Sequence, residues 1–220
     1  MHLNTAIFDM DGLLIDSEPL WYEAAIEVME EFDIFISQDA YNTTTGLRTK
    51  EFLQHWFGYF NLDVKKIPTT EEKITSLVIS KVISKGEMMD GVEHVLSLIK
   101  KQGFKIGLAS SSPLLLIDAV LKKTGLEDIF SIKTSAEYLP FGKPHPQVFL
   151  NCAEALGSHP TECLCFEDSF NGMIAAKAGR MKCIVVPHPE QFQESRWQAA
   201  DLVLNSLSAL TEKNLINLNK

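Results

Sequence analysis

Two carboxylates, Asp9 and Asp11, lie two residues apart where a short apolar run near the start of the chain ends. The apolar run predicts a buried strand, and Gly12 predicts the turn that ends it. Like charges this close repel, and burial adds a desolvation cost, so a divalent cation would relieve both penalties. One carboxylate could then bind the cation and attack phosphorus while the other transfers a proton. The alternative is a surface turn or a calcium loop, where Asp-x-Asp-Gly also occurs.

Polar residues follow two other predicted strands, and a lysine precedes a predicted helix. They are Ser110, Ser111 and Ser112 after a strand over 104–109, Glu167, Asp168 and Ser169 after a strand over 163–166, and Lys143 in Gly-Lys-Pro-His-Pro. Taken singly, the serines and acids could be helix caps, and the lysine could be a solvated loop side chain. Ligands of an open parallel sheet bind beyond the carboxyl ends of its strands, so these residues converge on one edge with the two aspartates. Together they hold the parts that phosphoryl transfer needs.

The elements that must position these residues alternate between strands and helices after about residue 88. The remaining predicted elements are strands over 132–135, 183–186 and 202–204 and helices over 113–123, 145–156 and 171–178. Such alternation is typical of a parallel sheet with helices on both faces. The strand over 5–9 must join the same sheet. We therefore predict an α/β fold with a doubly wound, Rossmann-like parallel-sheet core.

Residues 18–85 follow a helical pattern instead, with apolar and aromatic side chains at helical spacing. A Thr-x-x-Glu motif at 69–72 predicts a capping box within this segment, and Asp-x-x-Glu at 90–93 predicts one for the next helix. We interpret the segment as a small all-helical domain, with a core of its own, inserted after the first strand. The catalytic core would then comprise residues 1–17 and 86–220.

Composition limits the partners and the location that we expect. The chain has 220 residues, 45% of them hydrophobic, and a formal net charge of −9 at pH 7. The acidic balance argues against nucleic acid or an acidic membrane surface as partner. We expect no secretory signal and no membrane span, since no apolar stretch approaches ~20 residues, and we therefore expect a cytoplasmic protein. The four cysteines predict reduced core residues, and the inserted domain suits a monomer.

Four motifs occur in a characteristic order: Asp-x-Asp-Gly at 9–12, the hydroxyl of Ser110 after a strand, Lys-Pro-x-Pro at 143–146 and Glu-Asp-Ser at 167–169. This order resembles the haloacid dehalogenase superfamily over nearly the whole chain. The stretch at 11–21 is similar to β-phosphoglucomutase-like sugar-phosphate phosphatases, in particular the bacterial 2-deoxyglucose-6-phosphate phosphatase type. The resemblance implies a Mg²⁺-dependent phosphatase that hydrolyses small sugar phosphates, of the hexose or 2-deoxyhexose 6-phosphate class, through an aspartyl-phosphate. The helical insertion would be its cap.

The resemblance also implies roles for the acidic residues. Asp9 would be the nucleophile, and Asp11 would protonate the leaving sugar oxygen and then take a proton from water. Asp9, the carbonyl of Asp11 and Asp168 would supply the hard oxygen ligands that Mg²⁺ prefers, with Glu167 binding it directly or through water. Metal-free dehalogenation is disfavoured because Asp11, Glu167 and Asp168 are all present.

The phosphate site implied by the resemblance lies at the second motif. Ser110 and the groups of Ser111 and Ser112 that follow it at a helix start would hold the phosphate oxygens. Lys143 would neutralise charge on the phosphoryl group and help to keep Asp9 ionised.

Four further residues are candidates for binding the substrate: Gly12, Glu18, Trp21 and Arg48. The last three lie in the insertion and would face the sugar once the cap closes. Arg48 could bind sugar hydroxyls, grip a distal phosphate as a mutase arginine does, or be a surface arginine.

The alternatives are a β-phosphoglucomutase-type phosphosugar mutase and a catalytically silent binding module of the same fold. In the mutase family a histidine takes the place of Trp21, and a lysine and an asparagine follow the serines, where this chain has Pro113 and Leu114. Proline cannot donate a backbone hydrogen bond, which weakens a second phosphate site. A silent module would be expected to lack part of the acidic and basic set, and the set is complete.

Overall fold

A computed structural model of the chain describes residues 2–219 and shows a six-stranded, all-parallel sheet in the order β3-β2-β1-β4-β5-β6. The strands are β1 (Thr5–Phe8), β2 (Lys105–Ser110), β3 (Ile132–Ser135), β4 (Cys163–Glu167), β5 (Lys182–Val185) and β6 (Leu202–Val203). The first strand is central, since Phe8 pairs with Leu108 on one side and with Phe166 on the other. The predicted fold class is therefore confirmed.

Nine helices surround or follow the sheet within residues 2–219. They are α1 (Glu18–Met29), α2 (Gln38–Asn42), α3 (Thr49–Tyr59), α4 (Ile67–Lys85), α5 (Val92–Lys101), α6 (Leu114–Thr124), α7 (Gln147–Ala155), α8 (Phe170–Ala178) and α9 (Glu212–Leu218). Alternate residues of a strand face opposite sides of the sheet. Accordingly Phe8 packs in a cluster with α5 and α6, and Ile7 packs in a second cluster with α7 and α8. The sheet is thus covered on both faces.

The helices α1 to α4 lie between β1 and α5, where the sequence predicts an insertion. The longest of them, α4, packs against α1 and α3 and also against α6 of the sheet layer. Buried side chains of the segment, such as Leu53, Phe57 and Val78, therefore belong to the same apolar cluster as Phe8. The segment shares a continuous core with one face of the sheet, although a core of its own was expected. The division into two domains stays a prediction.

Both predicted capping boxes are wrong. Helix α4 begins at Ile67, so the Thr-x-x-Glu motif at 69–72 lies inside it, and Lys66 precedes its first residue. Helix α5 begins after Gly91, whose φ of +83° is in the left-handed region, and no side chain caps it. The Asp90 carboxylate instead accepts hydrogen bonds from the hydroxyls of Ser206 and Ser208, 3.2 and 2.9 Å away. Tertiary contacts with the C-terminal part of the chain thus replaced a local cap.

Among residues 2–219, none of the helices combines the length and the apolar character that crossing a membrane requires.

Candidate active site

The site lies where three adjacent strands end at their carboxyl side. Asp9 follows β1, and Ser110 and Glu167 are the last residues of β2 and β4, not the first residues after them as expected. The Asp9 backbone N–H still donates to the Phe166 carbonyl, 3.0 Å away, so the backbone of Asp9 remains hydrogen-bonded to β4. Because β1 lies between β2 and β4, the sheet brings the predicted acids and hydroxyls together at one edge.

Gly12 makes the turn after β1 possible. Its φ is +69°, and an added Cβ would lie 2.2 Å from Oδ2 of Asp168. A side chain at this position would meet both a backbone strain and a collision with a predicted metal ligand. The turn therefore keeps room beside Asp168.

Lys143 is the centre of the charge arrangement. Its Nζ donates to Oδ1 of Asp9 and to Oε1 of Glu167, each 2.5 Å away, and to the carbonyl of Ala109 at 3.2 Å. The residue is only 2% exposed, so the solvated-loop alternative does not hold. Burial alone would lower the pKa of Lys143, but the two carboxylates outweigh it and raise that pKa above its ordinary value. Lys143 is therefore a permanent cation beside the predicted nucleophile.

One cation does not balance the acids around it. Burial raises the pKa of Asp9 to about 8, although the Lys143 ammonium opposes that shift. Burial, together with the neighbouring Glu167 and Asp9, raises the pKa of Asp168 well above its ordinary value. Both carboxyl groups would be held ionised more easily by a second positive charge at the site.

The residues present fit a divalent cation. Oxygens of Asp9, Glu167 and Asp168 lie within 4.8 Å of one another, and carboxylates are the hard donors that such ions prefer. Both oxygens of Glu167 are already engaged, one by Lys143 and the other by the backbone N–H groups of Asp168 and Ser169 and the Ser169 hydroxyl. Direct coordination by Glu167 would compete with these bonds, whereas Asp168 accepts no hydrogen bond from any of the described residues.

The Asp11 carboxylate is held on both of its oxygens. Oδ1 accepts from the Ser17 hydroxyl at 2.7 Å and from the Trp21 indole at 2.8 Å, and Oδ2 accepts from the Ser112 hydroxyl at 2.6 Å. Since Trp21 lies in α1 and Ser112 follows β2, the helical segment and the sheet orient the carboxylate jointly. A carboxylate held on both oxygens in this way is suited to transferring a proton at one fixed position.

The three serines at 110–112 do not cap helix α6. Pro113, not a serine, precedes α6. Ser110 is 1% exposed, and its hydroxyl accepts from the Ser112 backbone N–H at 3.0 Å. The hydroxyl of Ser111 donates to the Gly46 carbonyl of the helical segment, 3.0 Å away. The loop thus contacts both Asp11 and the segment that covers it.

One cavity joins the two parts of the chain. Its lining includes Asp9, Asp11, Ser110 and Lys143 beneath and Glu18, Trp21, Tyr41 and Thr45 above. Burial, with Asp11 and Asp9 nearby, raises the pKa of Glu18 to about 8. The predicted residues Glu18 and Trp21 therefore lie at the site.

Arg48 lies elsewhere. Its guanidinium donates to the carbonyls of Ala136 and Leu139, at 3.0 and 2.5 Å, and to Oε1 of Glu51 at 2.7 Å. The side chain is 10% exposed, so it is not a free surface arginine either. Its contacts lie at the boundary between the helical segment and the sheet layer.

Ser17, Tyr41 and Asn171 also contact the site or its cover, and no role for them is predicted from the sequence. Ser17 reaches Asp11 because the turn over 11–15 folds back, with Gly12 N–H donating to the Ile15 carbonyl at 3.0 Å. Tyr41 lines the cavity, and the Asn171 amide donates to the Thr45 carbonyl at 3.0 Å. Ser17 lies in the motif at 11–21, so its hydroxyl could have been named as a site residue from the sequence. No local sequence motif points to Tyr41 or Asn171.

A buried Asp–Lys pair, beside an oriented Asp11 and a cluster of carboxylates at the end of a parallel sheet, is an arrangement suited to a hydrolase that acts on phosphate esters. The sequence model of one protein family, the haloacid dehalogenase-like hydrolases, matches residues 3–180. The chain is 44% identical over 212 residues to Hexitol phosphatase B of Escherichia coli K12, with 96% of each chain covered. It is 31% identical to Fructose-1-phosphate phosphatase YqaB of the same strain, with 82% of this chain and 94% of the relative covered.

A solved structure of beta-phosphoglucomutase from Clostridium difficile superposes with a TM-score of 0.87 at 24% identity, covering 99% of this chain and 97% of that one. At that identity the likeness concerns the fold. The chain belongs to the haloacid dehalogenase-like hydrolases. The predicted family and enzyme class, a phosphatase, are confirmed.

Proposed function

We propose that the chain is a Mg²⁺-dependent phosphatase that hydrolyses small sugar phosphates, of the hexose or deoxyhexose 6-phosphate class, through an aspartyl-phosphate on Asp9. The observation that carries this proposal is the pairing of Asp9 with Lys143 at 2.5 Å, with Asp11 held beside it in the same cavity. The names of the two phosphatase relatives support a phosphorylated sugar or sugar alcohol as the substrate.

The first half-reaction breaks the bond between phosphorus and the sugar oxygen. A carboxylate oxygen of Asp9 attacks phosphorus, and Asp11 gives its proton to the departing oxygen. Lys143, together with hydroxyl and N–H donors of the Ser110–Ser112 loop, stabilises the negative charge that develops on the phosphoryl oxygens. Mg²⁺, held by Asp9 and Asp168 with Glu167 near it, would supply further positive charge at the same oxygens.

The second half-reaction returns Asp9 to its free form. Asp11, now a carboxylate, takes a proton from water as the water oxygen attacks phosphorus, and the bond from phosphorus to Asp9 breaks. The hydrogen bonds from Ser17, Trp21 and Ser112 keep Asp11 at one position for both steps. The residues above the cavity, Glu18 among them, would meet the sugar hydroxyls.

The test is a substrate panel with Mg²⁺, assayed for released phosphate. It should contain hexose 6-phosphates, their 2-deoxy forms, hexitol phosphates, fructose 1-phosphate and β-glucose 1-phosphate, and Asp9→Asn serves as the inactive control. We expect hydrolysis of the sugar or hexitol esters and no turnover by Asp9→Asn. Isomerisation of β-glucose 1-phosphate faster than any hydrolysis would identify a mutase instead. Tight binding with neither reaction would identify a silent module.

A further inference from the structure

The loop over 136–142 connects β3 to Lys143, and two residues of the helical segment hydrogen-bond to its backbone. The holding residues are Arg48, which immediately precedes α3, and Glu51 in the first turn of that helix. Neither residue lines the cavity over the nucleophile as the structure describes it. Their contacts are therefore a separate feature from the site derived above.

The contacts form one connected network. Arg48 donates to the carbonyls of Ala136 at 3.0 Å and Leu139 at 2.5 Å and, at 3.4 Å, to that of Pro140. Glu51 Oε1 accepts from the guanidinium at 2.7 Å and from the Gly142 backbone N–H at 3.1 Å. Arg48 thus donates hydrogen bonds to carbonyls of the loop, and Glu51 accepts one from the last backbone N–H of the loop before Lys143.

The packing at Gly142 leaves no room for a side chain. An added Cβ would lie 2.6 Å from Oε2 of Glu51 and 2.8 Å from Nε of Arg48. The pair therefore contacts the backbone of the residue that directly precedes Lys143. The Arg48 and Glu51 side chains are 10% and 24% exposed, so the pair is largely shielded from water and its hydrogen bonds are little screened.

Other hydrogen bonds also join the segment to the site. The Trp21 indole donates to Asp11 at 2.8 Å, and Ser111 donates to the Gly46 carbonyl and Asn171 to the Thr45 carbonyl, both at 3.0 Å. Each of these is a single bond, whereas the Arg48 and Glu51 network makes several charge-assisted bonds to one loop. Separation of the segment from the sheet layer would break all of the bonds to that loop together.

We propose that Arg48 and Glu51 are positioning residues: they fasten the helical segment to the 136–142 loop and thereby hold Lys143 against Asp9 and Glu167 while the site is covered. The proposal deepens, and rests on, the phosphatase function proposed above. It assigns Arg48 to the backbone of the loop and not to the sugar. The segment then contributes to catalysis through Lys143 as well as through the residues that line the cavity.

The experiment compares Arg48→Lys, Glu51→Gln and Gly142→Ala with the neighbouring Lys50→Ala as control, since Lys50 is exposed. Amide hydrogen exchange at 136–143 is measured without substrate, and kcat and KM are measured separately. A displaced Lys143 lowers transition-state stabilisation, so we expect kcat to fall by about tenfold or more with KM within about a factor of two, and exchange at Gly142 to accelerate by a similar factor. Lysine lacks the planar fork and should not substitute for Arg48. Lys50→Ala should change neither measurement.

Two outcomes would overturn the proposal. Unchanged exchange over 136–143 in all three variants would show that the pair does not hold the loop. A KM increase with unchanged kcat would assign Arg48 to the substrate. The exchange experiment needs no substrate, so it decides the positioning role even if the phosphatase proposal fails. Circular dichroism melts of each variant separate a local effect from loss of the fold, and Glu51→Gln, which keeps the side-chain shape, remains informative if Gly142→Ala fails to fold.

Discussion

Lys143 bridges Asp9 and Glu167, with Nζ 2.5 Å from an oxygen of each carboxylate and the lysine side chain only 1% exposed. One end of this bridge is the predicted nucleophile, and the other is a completely buried acid whose second oxygen is bound by the start of the next helix. The lysine is therefore held by hydrogen bonds to both carboxylates, and its charge lies beside the oxygen of Asp9 that the proposed phosphoryl transfer would use.

Lys143→Met replaces the lysine by an unbranched side chain one atom shorter and removes its charge. Because two buried carboxylates would then face each other without a cation, we expect kcat to fall ~10²–10³-fold. We also expect the free energy of unfolding to fall by about 3 kcal/mol, as when one partner of a buried pair is removed. Phosphate release and urea unfolding measure the two effects. Lys100→Met, at an exposed position, is the control. Unchanged kcat in Lys143→Met would exclude the role of Lys143 in phosphoryl transfer.

Trp21→Phe removes the indole N–H that donates to Asp11 at 2.8 Å. Phenylalanine keeps an aromatic side chain, so the main effect should come from a less well-oriented Asp11, and we expect kcat to fall by about tenfold. Trp56→Phe is a matched control: among the described residues the buried Trp56 N–H finds no hydrogen-bond partner, so its loss should be neutral. Equal kcat values for Trp21→Phe and Trp56→Phe would show that the indole does not orient Asp11.

The sequence predicts those parts of the molecule that depend on local pattern. The run before Asp9 is buried on both faces of the sheet, so its apolar character identifies the strand, and the strand order then places Ser110 and Glu167 beside it. Contacts between distant segments were not predictable in the same way. Asp90 has the spacing of a capping residue, yet its carboxylate accepts hydrogen bonds from Ser206 and Ser208, more than 100 residues further along the chain.

Arg48, a predicted substrate-binding residue that lies away from the cavity, illustrates the same limit. Its type and its place in the insertion suit an anion, and the sequence says nothing of the loop carbonyls that it meets. The contact arises only because the insertion folds back against the connection between β3 and Lys143. The identity of a candidate residue was therefore predictable, but the group that it contacts required the tertiary structure.

Asp168→Asn should weaken the metal site without disturbing the hydrogen bonds of Glu167. We expect Mg²⁺ to raise the melting temperature of the unaltered protein, because a ligand at ~100 times its Kd adds about 2.7 kcal/mol to stability. The shift should be lost in Asp168→Asn and kept in Asp128→Asn, an exposed aspartate. EDTA should abolish phosphate release, and added Mg²⁺ should restore it. Full activity in EDTA would contradict the proposed cofactor.

The four cysteines, Cys152, Cys163, Cys165 and Cys183, are buried free thiols, as the sequence predicts. Burial raises the pKa of Cys152 and of Cys163 to about 12, and raises those of Cys165 and Cys183 well above the ordinary value. The thiolate is the reactive form, and with these raised pKa values the groups are almost entirely protonated near neutral pH. Burial also shields them from reagents in solution. We expect a thiol-specific disulfide reagent to react at least ~10²-fold more slowly with the folded protein than with the chain in concentrated guanidinium chloride. Titration of all four thiols in denaturant gives the number of reactive groups in the unfolded chain. Rapid labelling of any one of them in the folded, active enzyme would show that this thiol is accessible and that the buried arrangement is wrong.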